Sequence, residues 1–145
     1  MLGAQLKLAL RRNLLVNLHV RKCHGLMLKI LREAAGPAPG ARPWRGIVHN
    51  FTFSAELAQS YLDLGLCLSV GRHVLRPSEG LRRALRMAGA QRVLLETDGE
   101  DGVMSAPEAV AQLKAQLQAV AAILQIRETE LAQRMADTAM RLLKG

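Results

Sequence analysis

The chain has 145 residues, a length typical of one domain with a buried core. Half of the residues are hydrophobic, which excludes a disordered tail or a low-complexity polymer. The net charge of +8 favours phosphate-bearing partners, nucleic acid above all, although an ordinary arginine-rich surface has the same composition.

Cysteine usage and hydropathy indicate the cellular compartment in which the protein is expected. Cys23 and Cys67 form neither a disulfide framework nor a CxxC metal motif, so we expect two reduced thiols. The opening apolar stretch is interrupted by Lys7 and does not resemble a signal peptide. No run approaches the ~20 apolar residues that a membrane span needs. These features predict a cytoplasmic protein.

Helices and strands are predicted to alternate along the chain. An amphipathic helix over residues 2–12 comes first, and short runs rich in branched apolar residues predict the strands. The predicted strands are 14–19, 46–49, 66–70 and 92–96, and the later helices are 24–34, 55–64, 79–88, 107–125 and 128–144. This alternation predicts right-handed βαβ units, a parallel sheet and an α/β fold.

Caps and apolar spacing refine these helices. Ser54 and Ser78 are predicted N-caps, and Ser105 with Glu108 has the spacing of a capping box. The segment from Gly36 to Pro43 has three prolines in eight residues, and we interpret it as a variable loop away from the site. The predicted core faces are Leu26, Met27, Ile30 and Leu31 in 24–34; Val110, Leu113, Leu117, Val120 and Leu124 in 107–125; and Leu131, Met135, Ala139 and Leu142 in 128–144.

Three of the predicted strands end in a side chain that can bind a metal: His19, His49 and Asp98. The carboxyl ends of parallel strands meet at one edge of a sheet, so these side chains should converge. Imidazole nitrogen and carboxylate oxygen are usual ligands of Zn²⁺, Mn²⁺ or Mg²⁺. A metal bound there would activate water for hydrolysis.

Two neighbours of this trio have alternative interpretations. Arg21 lies two residues after His19 and points the same way in extended geometry, so it either grips a substrate phosphate or forms a surface salt bridge. Glu96 alternates with Asp98 and is either a partner of a metal ligand, an acid–base group, or a structural hydrogen-bonding residue.

Other polar residues near these strand ends are weaker candidates. His24 falls in a predicted first helical turn, where capping or solvent exposure is expected rather than ligation. His73 follows the third strand and could orient a substrate. Glu100 and Asp101 extend an acidic loop after Asp98, which we interpret as a solvated turn.

Three segments of the chain resemble successive motifs of the TatD family of metal-dependent deoxyribonucleases. The family has an H-x-R step, an H-C-F-x-G-S step and an L-E-T-D step. The matching segments here are Asn17-Leu18-His19-Val20-Arg21-Lys22, Val48-His49-Asn50-Phe51-Thr52-Phe53-Ser54 and Leu94-Leu95-Glu96-Thr97-Asp98. Order and intervals match over nearly the whole chain.

This resemblance implies a TIM-type (β/α)₈ barrel that hydrolyses phosphodiester bonds in DNA with divalent metal ions, two in a complete family member. It implies that His19, His49 and Asp98 are metal ligands and that Arg21 approaches the substrate phosphate. Asp98 and Glu96 are the predicted catalytic carboxylates.

The chain also departs from the family pattern. A (β/α)₈ barrel needs about 250 residues, whereas the four predicted strands correspond to the last four of a barrel. An early H-x-H motif and a G-E-x-G-L-D step have no counterpart, and Phe53 stands where the family has Gly. We therefore expect one partial domain over residues 1–145, the C-terminal half of a TIM-type barrel.

The functional prediction is a TatD-type hydrolase of DNA phosphodiester bonds, with weak or no activity in the isolated chain. The alternative is a non-catalytic nucleic-acid-binding or assembly module derived from such a hydrolase. The expected partners are DNA or another phosphodiester substrate, with self-association or a missing N-terminal half completing the barrel. A half barrel has two open sheet edges, and these favour association.

Overall fold

A computed structural model describes residues 1–37, 44–97 and 104–144. Six α-helices, four strands and one 3₁₀ helix form the described part of the chain. The helices are α1 Leu2–Arg11, α2 His24–Ala35, α3 Ala55–Asp63, α4 Glu79–Ala88, α5 Ala106–Leu124 and α6 Glu128–Lys144. The strands are β1 Val16–Leu18, β2 Gly46–Val48, β3 Cys67–Val70 and β4 Val93–Leu95, and the 3₁₀ helix is Arg72–Leu75. Every predicted helix and strand is present.

The four strands form one parallel sheet in the order β1-β2-β3-β4. Each strand pairs with the next along the chain, and each helix packs against the next helix. This is the arrangement of successive βα units in a barrel wall, so the predicted α/β class and parallel sheet are confirmed. The 3₁₀ helix after β3 was not predicted.

The two faces of the sheet differ in burial. Val48, Leu68, Val70 and Val93 lie on one face, and each is at most 1% exposed. On the other face Asn17 is exposed, Ile47 and Leu94 are half-buried, and Cys67 and Ser69 of β3 are buried. Alternate residues of a strand point to opposite faces, so the first face carries the core and the second is partly open.

Helix α6 is held to the amino edge of the sheet. The Thr138 hydroxyl donates to the carbonyl of Gln91 at 2.9 Å, just before β4. The Arg45 guanidinium, just before β2, donates to the carbonyl of Leu142 at 2.6 Å. The carboxyl edge, where the candidate site lies, is thus opposite α6.

Predicted caps are confirmed where the structure describes them. The hydroxyls of Ser54 and Ser78 accept from backbone amides in the first turns of α3 and α4, and Ser105 with Glu108 forms the capping box of α5. Cys23 and Cys67 are both free thiols, the first exposed and the second buried. The proline-rich loop prediction falls largely on residues 38–43, outside the described ranges.

Three predicted core faces were partly wrong. In α2, Leu26 is 60% exposed and Leu28 is buried instead. In α5, Val110 is 51% exposed, and the buried residues are Gln116, Val120, Ala121 and Ile123. In α6, Thr138 rather than Ala139 is buried, because its hydroxyl reaches Gln91. The spacing of apolar residues predicts an apolar stripe along a helix, but the neighbouring elements decide which residues of that stripe are buried.

No single helix in the described ranges is long and apolar enough to cross a membrane; only α5 and α6 taken together, bent by 103°, meet the length and composition.

Candidate metal and phosphodiester site

The candidate site lies just beyond the carboxyl ends of the strands. His19 follows β1, His49 follows β2 and Glu96 follows β4. Backbone hydrogen bonds continue past the strand ends: the amide of His49 donates to Leu18 at 2.9 Å and that of Glu96 to Val70 at 3.1 Å. This continued pairing holds the three residues at one edge. Of the predicted trio His19, His49 and Asp98, the two histidines do lie together.

The two imidazoles lie side by side. Their ring centroids are 5.3 Å apart, and the ring planes are tilted by 34°. His19 is exposed and His49 is half-buried. Two imidazoles at this separation can contribute nitrogen ligands to one small cation.

Glu96 connects the site to the third strand. Its Oε2 lies 2.8 Å from Nδ1 of His49, and the hydroxyl of Ser69 donates to the same oxygen. A carboxylate accepts hydrogen bonds, so Nδ1 of His49 carries the proton and Nε2 carries the lone pair. This is the arrangement that orients a metal-binding histidine in many sites. The side chains of His49 and Glu96 are only 17% and 13% exposed.

Gly71 provides space beside Glu96. A Cβ added there would lie 3.3 Å from Oδ1 of Asn50 and 3.9 Å from Cγ of Glu96. The added Cβ would therefore be tight against Asn50 and in ordinary van der Waals contact with Glu96. Ser69, Asn50 and Gly71 were not among the predicted site residues. Ser69 could have been identified as a polar residue within the apolar run 66–70.

The third predicted ligand, Asp98, lies outside the described residues, as do Glu100 and Asp101 of the acidic loop. Within the described ranges, no group of three or more His, Cys, Asp or Glu side chains is arranged to hold a metal ion. Of the three predicted ligands, the structure describes His19 and His49, with Glu96 bonded to His49; their metal binding stays a prediction.

Arg21 lies in a bend three residues after the end of β1, so the extended geometry predicted for it does not continue to this residue. Val20 is 8% exposed, whereas His19 and Arg21 on either side of it are both exposed. The Arg21 side chain is therefore accessible to an anion. Phosphate binding by Arg21 stays a prediction.

His24 neither caps α2 nor faces solvent, so that expectation was wrong. Its Nδ1 lies 2.9 Å from the hydroxyl of Tyr61, and its ring packs edge-on against Phe53 with centroids 4.2 Å apart. Burial lowers the pKa of His24 below its ordinary value. Phe53, which replaces the family's Gly, is accommodated by this contact. His73 lies exposed on the 3₁₀ helix.

The chemistry of these residues fits a divalent cation. His19 and His49 supply nitrogen ligands, and the bond to Glu96 directs Nε2 of His49 as the donor atom. Oε1 of Glu96 is buried and has no hydrogen-bond partner within the described part of the chain. A buried carboxylate beside two imidazoles favours a cation over an anion.

The sequence matches one family model and several known proteins. A family model described as TatD related DNase matches residues 1–144. The chain is 38% identical over 98 residues to the 3'-5' ssDNA/RNA exonuclease TatD of Klebsiella pneumoniae, covering 66% of this chain and 35% of that protein. It is 32% identical over 102 residues to the uncharacterized metal-dependent hydrolase YjjV of Escherichia coli, covering 70% and 37%.

Solved structures extend the similarity to most of the fold. The crystal structure of the Escherichia coli TatD homolog YJJV superimposes with a TM-score of 0.74 and 28% identity, covering 95% of this chain and 53% of that chain. A TatD family hydrolase from Entamoeba histolytica gives a TM-score of 0.71 at 16% identity and supports the fold alone. The chain thus spans about a third of the curated relatives' length in sequence alignment, and about half of the solved structures.

Proposed function

The chain belongs to the TatD family of related DNases, and we propose on that premise that it contributes the second half of a metal-dependent phosphodiester hydrolase site acting on DNA. The observation that carries the proposal is the hydrogen-bonded His49–Glu96 pair beside His19 at the carboxyl edge of the sheet. The printed names of the relatives, exonuclease and metal-dependent hydrolase, support the same class of reaction.

We assign each residue one task. His19 and His49 would hold a divalent cation together with Asp98. Ser69 and Glu96 fix the tautomer and orientation of His49, so Glu96 acts through the histidine. Arg21, exposed two residues after His19, would bind a phosphate oxygen of the substrate. A bound cation would polarise the phosphoryl group and lower the pKa of an attacking water.

DNA is the proposed substrate because the site lies on a strongly basic chain. The net charge of +8 attracts a polyanion over long range. A hydrolase of small neutral molecules has no use for this charge or for an exposed arginine beside the ligands. Relatives named as acting on single-stranded DNA and RNA are consistent with a single-stranded substrate.

The test is metal binding by the purified chain, measured by titration calorimetry with Mn²⁺ and Zn²⁺. We expect binding that His49→Ala abolishes. Glu96→Gln should weaken binding about 10- to 100-fold, because the amide is a poorer acceptor for the Nδ1 proton. Glu33→Gln is the matched control, since Glu33 is an exposed carboxylate on α2 that pairs, among the described residues, with Lys29 alone.

A nuclease assay on labelled single-stranded DNA accompanies the calorimetry. We expect at most weak release of nucleotides, sensitive to chelator and lost in His49→Ala and Asp98→Ala. Turnover that persists in both variants and in chelator would contradict the proposal.

The second candidate is a binding module without catalysis. It is favoured by the finding that the described residues bring together fewer than three possible metal ligands. If the chain takes up no metal yet binds DNA with chelator present, the binding module replaces the hydrolase.

A further inference from the structure

A cavity lined by arginine side chains lies at the amino edge of the sheet, at the opposite end of the strands from His19 and His49. Its volume is about 230 Å³. It lies between the segment before β2, the start of β3 and helix α6. The lining residues are Trp44, Arg45, Gly65, Cys67, Arg92, Arg141 and Leu142.

Three arginines converge on this cavity without a carboxylate among its lining residues. Within residues 1–37, 44–97 and 104–144, none of Arg45, Arg92 and Arg141 forms an ion pair. Other arginines of the described chain, such as Arg83, Arg86 and Arg134, do pair with glutamates. The positive potential of the cavity is therefore not offset locally.

Backbone carbonyls hold the three guanidinium groups in place. Arg92 donates to Leu62 at 3.0 Å and to Leu66 at 2.8 Å. Arg141 donates to Gln91 at 3.1 Å, and Arg45 donates to Leu142 and Asn13. Neutral carbonyls orient an arginine but do not neutralise it. The cationic groups are thus preorganised, which lowers the entropic cost of binding a ligand.

Three of the lining residues carry buried N–H groups that have no acceptor among the described residues. Nε1 of Trp44 and the Nε atoms of Arg45 and Arg92 are buried and lack a hydrogen-bond partner within the described part of the chain. Trp44 is only 3% exposed, so water reaches its indole poorly. Buried donors without acceptors destabilise the folded state. An acceptor that entered the cavity would remove this destabilisation.

We propose that this cavity is a binding site for a phosphate group, either inorganic phosphate or a phosphomonoester. A tetrahedral dianion presents several acceptor oxygens, which match guanidinium forks and an indole N–H. Since one water occupies about 30 Å³ in the liquid, the cavity has room for a phosphate and some of its hydration water. The site is independent of the metal site proposed above.

Trp44 is the only tryptophan in the chain and therefore reports on this cavity alone. The experiment titrates inorganic phosphate into the full chain at constant ionic strength, with chloride as the balancing anion, and follows tryptophan fluorescence. We expect a saturable change with phosphate that acetate does not reproduce. A parallel titration with thymidine 5′-monophosphate distinguishes the two ligands. A site for inorganic phosphate alone would exclude this nucleotide, whereas a site for phosphomonoesters would bind it.

Arg141→Gln is the decisive variant, because Arg141 is exposed and makes one described hydrogen bond, so its loss should leave the fold intact. We expect phosphate affinity to fall about tenfold or more, as for loss of a charge-assisted hydrogen bond. Arg32→Gln, which removes an exposed arginine of α2, is the matched control and should bind as the parent does.

Thermal unfolding gives a second readout, because a ligand that binds only the folded state raises Tm. Phosphate should raise the Tm of the parent and of Arg32→Gln more than that of Arg141→Gln. The absence of a saturable fluorescence change, an equal response to acetate, or equal phosphate affinity in Arg141→Gln would each overturn the proposal.

Discussion

At the scale of single residues, Glu96 is the side chain whose surroundings are most informative. The sequence left three roles open for it: partner of a metal ligand, acid–base group or structural residue. Its Oε2 accepts from both His49 and Ser69, which favours positioning of the histidine. A direct catalytic role for Glu96, like the roles of His19, His49, Asp98 and Arg21, stays a prediction.

Ser69 tests this local network. Ser69→Ala removes a donor to a largely buried carboxylate, so the free energy of unfolding should fall by about 1–2 kcal/mol. Urea denaturation at neutral pH measures the change. Ser60→Ala is the control, since that exposed hydroxyl donates to the carbonyl of Glu56 within its own helix; its effect should stay within about 0.5 kcal/mol. Equal effects of the two substitutions would show that the Ser69 hydroxyl does not support Glu96.

Tyr61 should titrate abnormally because it is fully buried. Burial, with a smaller contribution from the charge of Cys23, raises the pKa of Tyr61 to about 12. The folded state then keeps a proton that the unfolded state loses near pH 10. The contribution to stability is complete below about pH 10 and is lost as the pH rises towards 12.

Absorbance of tyrosinate measures this directly, because Tyr61 is the only tyrosine. We expect a midpoint of about 12 in the native protein and about 10 in denaturant. A native midpoint near the denatured value would show that the hydroxyl is accessible to solvent and not held against His24.

At the scale of elements, the approach of β2 to β1 depends on a residue without a side chain. A Cβ added at Gly46 would overlap the carbonyl oxygen of Val16, its partner in the parallel pair. Because the clash is with backbone, rotation of a side chain cannot relieve it. Gly46 is therefore required for the register that places His49 beside His19.

Two glycine substitutions test this requirement. Gly46→Ala should lower the free energy of unfolding by about 3 kcal/mol or more, or prevent folding. Gly25→Ala in α2 is the matched control, since nothing lies within 4 Å of the added Cβ. It should be neutral or stabilise by up to about 1 kcal/mol. Circular dichroism during urea denaturation reports both, and a tolerated Gly46→Ala would contradict the packing of β1 on β2.

At the scale of the whole molecule, the sheet order leaves β1 and β4 as the outer strands of the described sheet. Next to β1, Leu14 and Leu15 are 51% and 38% exposed. The solved TatD homolog from Escherichia coli is about twice as long as its match here. Association with a second copy or with the missing half of a barrel stays a prediction that these features support.

Nucleic-acid binding should depend strongly on salt, because it arises from the charge of the whole molecule. The net charge of +8 should bind single-stranded DNA through released counterions. The logarithm of the affinity should fall linearly with the logarithm of salt concentration, by about 0.7 per phosphate contacted. Fluorescence anisotropy of a labelled oligonucleotide measures the slope. A curve that is flat in salt would exclude electrostatic binding.

The order of elements and the convergence of His19 with His49 could be predicted from sequence. Periods of apolar residues, caps such as Ser54 and Ser78, and the motifs at strand ends are local features. The proximity of the two imidazoles follows because parallel strands bring their carboxyl ends to one edge. Hydrogen bonding between parallel strands therefore brings together residues that local sequence patterns place at strand ends.

The tertiary structure decided which side of each helix is buried and which groups meet across distant elements. Val110 is exposed and Gln116 buried, because α5 packs on the 3₁₀ helix and α4. The bond from Ser69 to Glu96 and the clustering of Arg45, Arg92 and Arg141 join residues far apart in the chain. Such contacts depend on how elements pack in three dimensions, which local propensity and spacing do not encode.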